Sequence, residues 1–151
     1  LISLRSNPLY GNDIFGIGTK LYGSRWNSEG LPMLYTSAYI SLAMREMLVH
    51  TNFEEYTIEL DLIYIDIPDL LEYKEIKAAK LKTNWVRDVS YTKFIGDEFI
   101  KSIQTPLLKI PSAIIEEEHN YLVNPLHPDL KNIKIAKIKS FMPDKRVLPT
   151  Y

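Results

Sequence analysis

The run MLYT, Met33 to Thr36, predicts a short strand, and AYISLAMREMLVH after it has the length and residue types of a helix. Ser37 reads as the N-cap of that helix. Ile40, Ala43, Met44, Met47 and Leu48 share one helical face, while Tyr39, Leu42 and Val49 lie on the other side with Glu46 and His50. Only Ser41 and Arg45 form a narrow polar strip. The pattern therefore predicts a helix buried nearly all round, with the Glu46 carboxylate where water is scarce. That placement is costly unless a partner holds the charge.

Further on, YTIELDLIYIDIP alternates Ile58, Leu60 and Leu62 against Glu59 and Asp61, then changes phase so that Ile63, Ile65 and Ile67 take over. A long strand with a bulge near Leu62 is predicted. The segment after Pro68 has no clear period. In YTKFIGDEFIKSI the residues Ile95, Phe99 and Ile103 recur at helical spacing, although Gly96 weakens that helix. LLKIPSAII is strand-like but carries Pro111, which implies a bulge, an edge or a bend and puts Ser112 at a backbone irregularity. NYLVNPLHPDL reads as a turn rich in Asn and Pro, and KIAKIKSF as a last strand. Strands and helices do not alternate regularly, so the class is α+β. Without a repeat or a linker, residues 1–151 read as one domain.

Composition narrows the function classes. The chain has 151 residues, 46% of them hydrophobic, enough for one real core. With 18 basic and 19 acidic side chains the net charge is -1, so no global field recruits nucleic acid or an anionic membrane. Cysteine is absent, which excludes disulfides, thiolate zinc sites and cysteine nucleophiles and fits a reducing, cytoplasmic setting. The apolar runs are far shorter than the roughly 20 residues a membrane span needs, and no secretory signal pattern opens the sequence.

Nucleotide signatures are missing: there is no GxxxxGK[ST], and Gly16-Ile17-Gly18 lacks the third glycine of a dinucleotide fingerprint. His50, His119 and His127 show no metal-binding spacing, so no metal is expected. Lys131, Lys134, Lys137 and Lys139 cluster near the C-terminus, where protection of an edge strand is favoured over a phosphate-binding stripe. The loop YGSRWNSEG raises a sharper question. Arg25 either stacks on Trp26 as a cation–π pair or waits for an anionic ligand.

Arg25, Tyr35, Glu46 and Ser112 together suit one chemistry, cleavage of the bond joining nicotinamide to ribose in NAD. An arginine fork can grip the pyrophosphate. An aromatic ring can stack on the nicotinamide, and a carboxylate can hold the ribose hydroxyls and stabilise the oxocarbenium-like state.

The segments GIGTKLYGSRWNSEGLPMLYTS, LAMREMLVH, LLKIPSAII and NYLVNPLHPDL, in this order, resemble the RES-domain family, the toxin halves of bacterial Xre–RES toxin–antitoxin pairs. The resemblance spans essentially the whole chain. The family is named for an arginine, a glutamate and a serine, matched here by Arg25, Glu46 and Ser112. It implies a fold similar to ADP-ribosyltransferases of the diphtheria-toxin type, with small central sheets flanked by helices. It further implies a toxin that depletes NAD, as consumed substrate with no resident cofactor, by hydrolysis or phosphorolysis.

Carried over to this sequence, Arg25 would hold the NAD phosphates, Tyr35 would contact the nicotinamide side and Glu46 would stabilise the ribosyl cation. Ser112 would be a pocket hydrogen-bonder, since no histidine is placed to activate it as a nucleophile. Trp26 and Asn27 either contact substrate or shape the loop, and Tyr22 is a candidate core residue. Asn120 and Asn124 match the NYLxNP pattern, although asparagine before proline is also ordinary turn chemistry. Ser24 departs from the usual Gly-Gly pair before the arginine, and a positive φ there would strain it. The expected partner is an Xre-type antitoxin that blocks the site and alone carries DNA contact. The competing readings are a mono-ADP-ribosyltransferase that modifies a host protein, and an inactive binding module.

Overall fold

The computed structural model describes residues 1–5, 12–50 and 60–147. Among these residues seven strands form one mixed sheet: β1 (Ile2–Arg5), β2 (Leu34–Ser37), β3 (Leu60–Asp66), β4 (Tyr73–Glu75), β5 (Leu107–Pro111), β6 (His119–Val123) and β7 (Lys134–Phe141). Their order is β4-β5-β6-β2-β1-β3-β7, with only the β4–β5 pair parallel. The helices are α1 (Ile17–Tyr22), α2 (Ile40–His50) and α3 (Val89–Ser102). The α+β class expected from the sequence is what the chain adopts.

The sheet has two parts. Leu34 to Ser37 pair fully with β6, and β1 pairs along its length with β3, but β1 and β2 share only the register pair Ile2–Ser37. The two halves are joined at that point. Strand alternation and register place Ile2, Tyr35, Ser37, Asn120 and Leu122 on one face.

On that face two apolar clusters stand side by side. Trp26, Trp85, Phe99 and Ile100 pack over Leu108, Ile110 and Leu122, whereas Ala43 of α2 packs with Ile2 and Leu62. The other face carries Leu34, Ile63, Ile65, Leu107 and Val123, covered by Leu130 and Ile133. Burial of one such side chain contributes about 1.5–3 kcal/mol.

Both faces of β3 are buried, and this is why its pattern changes phase in the sequence: Leu60 and Leu62 serve one side, Ile63 and Ile65 the other. The register irregularity lies between Tyr64 and Ile65, not near Leu62, and the extra residue is Ala136 on β7. Positions 56–59 of the predicted strand lie outside the described residues.

The α2 expectation needs correcting too. Leu42 and Ala43 are buried, but Tyr39 and Val49 are each 62% exposed, so the helix lies on the surface with one covered stripe. Ser37 ends β2 rather than capping α2, and its hydroxyl donates to Asn120 Oδ1 at 2.6 Å.

The helix weakened by Gly96 forms in full. Asp88 caps it by accepting from the Tyr91 N–H at 2.9 Å. Pro111 closes β5, an interior strand, two residues beyond the pairing with β4. Asn120 to Val123, expected as part of a turn, instead belong to β6 (His119–Val123), and the turn begins at Asn124. β7 is an edge strand whose Lys134, Lys137 and Lys139 are exposed, in keeping with edge protection.

Candidate active site

A cleft of about 410 Å³ opens where the sheet halves part, within the range of small-ligand sites. Ile2 to Arg5 line it from β1, Leu34 to Ser37 from β2, Asn120 from β6, Ala43, Glu46 and Met47 from α2, and Ser24 to Trp26 from the loop after α1. Neighbours of both parities on β1 and β2 reach the cavity because those strands lack a ladder between them.

Glu46 lines the cleft from α2. Its Oε1 accepts from the Ser112 hydroxyl at 2.7 Å and from the Asn120 side-chain N–H at 2.6 Å. Ser112 is 1% exposed, and its oxygen accepts the backbone N–H groups of Ile114 at 3.0 Å and Ile115 at 3.1 Å. With its lone pairs engaged, its proton points to the carboxylate. Two donors on one oxygen fix the plane of the group. Among the described residues no hydrogen bond reaches Oε2. Ser112 thus acts on Glu46 from behind and does not line the cleft.

Arg25 reaches the cleft from a loop built to carry it. One guanidinium nitrogen donates to the Val86 carbonyl at 2.8 Å, and among the described residues no carboxylate lies within ion-pair distance. Trp26 does not stack on the arginine. It packs against Trp85, with ring centroids 5.9 Å apart. The described cation–π pair is Lys82 over Tyr91, 4.5 Å from the ring centroid.

The loop is clamped on α3. The Thr92 hydroxyl donates to the Arg25 carbonyl at 2.7 Å, and Asp97 accepts from the Ser28 N–H at 2.8 Å and from its hydroxyl at 2.6 Å. At Gly23 φ is +66°, the left-handed conformation that glycine adopts without strain. Ser24 has no positive φ. Its N–H bonds the Asn27 carbonyl at 2.9 Å, so serine in place of the usual glycine leaves Arg25 in position.

Tyr35 lines the cleft, and its hydroxyl belongs to the loop. It accepts the Trp26 N–H at 2.9 Å and donates to Asn27 Oδ1 at 2.8 Å. Burial, more than any other influence, pushes the phenol above its ordinary range, so it stays protonated.

Asn27 is fully buried, and its amide donates to the carbonyls of Thr19 at 2.9 Å and Leu31 at 2.8 Å. It shapes the loop and does not line the cleft. Asn124 is also fully buried, donating to the Ile100 carbonyl near the end of α3 at 3.0 Å and accepting from the Leu126 N–H, away from the cleft. Tyr22 is 76% exposed and is no core residue.

Arg5, Asp13, Thr19 and Ser37 also line the cleft, and the sequence did not single them out as site residues. Burial lowers the Arg5 pKa, opposed by Asp13, and the guanidinium still carries its charge at neutral pH. Asp13 accepts the N–H groups of Phe15 at 2.8 Å and Ile17 at 2.6 Å, at the start of α1. An arginine closing the short run ISLR was the one available signal; the others depend on chain crossings. His127 accepts from the Asp129 N–H, His119 lies on β6, and the side chain of His50 is outside the described residues.

Comparison with known proteins shows the family and the fold. The family model described as RES domain matches residues 5–145. The chain is 34% identical over 141 residues to the Prs ADP-ribosylating toxin of Sphingobium sp. strain YBL2, covering 91% of this chain and 88% of that protein. It is 32% identical over 137 residues to Toxin Res of Pseudomonas putida strain KT2440, covering 89% and 92%. A crystal structure of the M. tuberculosis MbcT–MbcA toxin–antitoxin complex contains a chain of similar fold. Its TM-score is 0.73 at 16% identity, over 93% of this chain and 82% of that one. With the family model matched over residues 5–145 and relatives at 32% and 34% identity along most of its length, this chain belongs to the RES-domain family.

Proposed function

We propose that the protein is the toxin of a toxin–antitoxin pair and that it splits NAD at the bond between nicotinamide and ribose. The observation that carries this reading is the presentation of Glu46, held through Oε1 by Ser112 and Asn120 in a cleft that also contains Arg25. As the bond breaks, its electron pair leaves with nicotinamide, and the ribose carbon takes up positive charge. A carboxylate held in a fixed orientation is worth most where such charge develops. Oε2 is the oxygen free to meet the ribose hydroxyls and the cation.

Arg25 has four N–H donors beyond the one given to Val86, enough for a forked grip on the pyrophosphate. Tyr35 offers its ring to the nicotinamide while its hydroxyl keeps the Arg25 loop seated. Water or phosphate then adds to the ribosyl cation, and NAD is consumed as substrate.

Purified protein incubated with NAD is expected to release nicotinamide, and mass analysis of the second product with and without phosphate separates hydrolysis from phosphorolysis. No nicotinamide from the folded protein would sink the proposal. A second reading is favoured by the relative named as an ADP-ribosylating toxin: a protein side chain takes the ADP-ribose. Labelled NAD would then mark a protein band.

The partner we expect is an Xre-type antitoxin that covers the cleft, so that DNA is met only through it. The toxin–antitoxin complex of similar fold supports a partner of this kind. The expected setting is the cytoplasm, where NAD is available. Among the described residues no helix is long and apolar enough to cross a membrane. Growth arrest on expression, relieved by co-expressed antitoxin, tests the pairing.

A further inference from the structure

We propose that Ser37 is a positioning residue that orients the Asn120 amide so that its N–H, and not its oxygen, faces Glu46. The inference rests on the reading of Glu46 above. An asparagine side chain has a donor end and an acceptor end, and a half-turn exchanges them at almost no steric cost. Here Nδ2 meets Glu46 Oε1 at 2.6 Å while Oδ1 accepts the Ser37 hydroxyl, also at 2.6 Å. The half-turn would set two oxygens with lone pairs against each other and take from Glu46 one of its two donors.

The backbone fixes this arrangement. Ser37 and Asn120 are direct partners across β2 and β6, so their side chains emerge on the same face as neighbours. Ser37 is also the residue that joins β2 to β1 through Ile2, which ties its position to both halves of the sheet. The other donor to Glu46, Ser112, is oriented by its own loop through Ile114 and Ile115. Asn120 has only Ser37 at its acceptor end among the described hydrogen bonds. The remaining charged groups lining the cleft are Arg5, Asp13 and Arg25. None of them has a described hydrogen bond to the amide, and Asp13 is committed to the Phe15 and Ile17 N–H groups. His119, next along β6, points to the opposite face.

Two measurements test this. The first needs no activity. The Asn120 side-chain amide signals are assigned as the nitrogen-attached pair missing from Asn120→Ala, and then followed in Ser37→Ala. They are expected to move toward the positions of a solvated asparagine and to exchange faster with water; an unchanged pair would overturn the proposal. The second is nicotinamide release. Ser37→Ala is expected to lower kcat about tenfold, the value of roughly one hydrogen bond, with KM within about twofold. In an Asn120→Ala background the same substitution is expected to cost nothing further, because Ser37 acts only through that amide. Additive losses would overturn the proposal. An inactive parent protein would refute the NAD reading alone and leave the amide measurement to decide on Ser37.

Discussion

Gly96 of α3 lies so close to Trp26 that a Cβ at position 96 would overlap the Trp26 carbonyl oxygen. The contact is with backbone, which cannot step aside as a flexible side chain would. Helix and loop are joined on either side of it by Thr92 to the Arg25 carbonyl and by Asp97 to Ser28. Gly96→Ala should therefore lift the loop that carries Arg25. The expected outcome is a loss of about 1–3 kcal/mol in denaturant unfolding. Nicotinamide release should fall by at least about tenfold, the cost of a mispositioned binding group. Wild-type behaviour in both assays would mean that the loop is not seated on α3.

Tyr35 gives a second prediction. Removing its hydroxyl leaves the Trp26 N–H and Asn27 Oδ1 without their partner, and Asn27 is fully buried. Tyr35→Phe is expected to destabilise by about 1–3 kcal/mol.

The same phenol makes stability depend on pH. Its folded pKa is raised, so the native state holds the proton more tightly than the unfolded chain does. The contribution is complete below the unfolded value of about 10 and is lost as pH rises above it. Unfolding midpoints should fall above about pH 10 and fall less steeply in Tyr35→Phe. Equal slopes for the two proteins would refute the linkage.

Glu46 and Arg25 should separate kinetically. Glu46→Gln keeps the shape but removes the charge needed when the ribose becomes cationic, so kcat should drop by about 10²–10³ with little change in KM. Arg25→Ala removes a grip on the pyrophosphate that also exists in the ground state, and should raise KM as well. Thermal midpoints close to wild type would show that the fold survives in both. Full activity in either variant would remove that residue from the mechanism.

The lysines of β7 lead to a prediction about association. Lys137 and Lys139 pair with Tyr64 and Leu62 on one side, and among the described residues no strand pairs with the other edge. Replacing both with valine should produce self-association, visible as a concentration-dependent rise in light scattering, because an uncharged apolar edge is a template for another strand. A monodisperse variant would show that the charges do not guard this edge.

Local pattern carried a good deal of this protein. The strand before Ser37, the helix at Ile40–His50, the helix around Gly96 and the edge strand Lys134–Phe141 all follow from spacing, residue type and a few breakers. These features depend on neighbours within a turn or two of chain, and a linear sequence preserves such neighbours. Arg25, Glu46 and Ser112 could be named as a set because their flanking motifs carried the resemblance.

The tertiary structure alone decided what those residues do to one another. Glu46 gains its donors from Ser112 and Asn120, 66 and 74 positions away, and Arg25 is anchored on Val86, 61 positions away. The exposure of α2, the two buried faces of β3 and the cleft between β1 and β2 likewise arise from which elements pack together. Hydrogen bonds and excluded water act through space over a few ångströms. Distance along the chain holds no information about which distant groups will come that close.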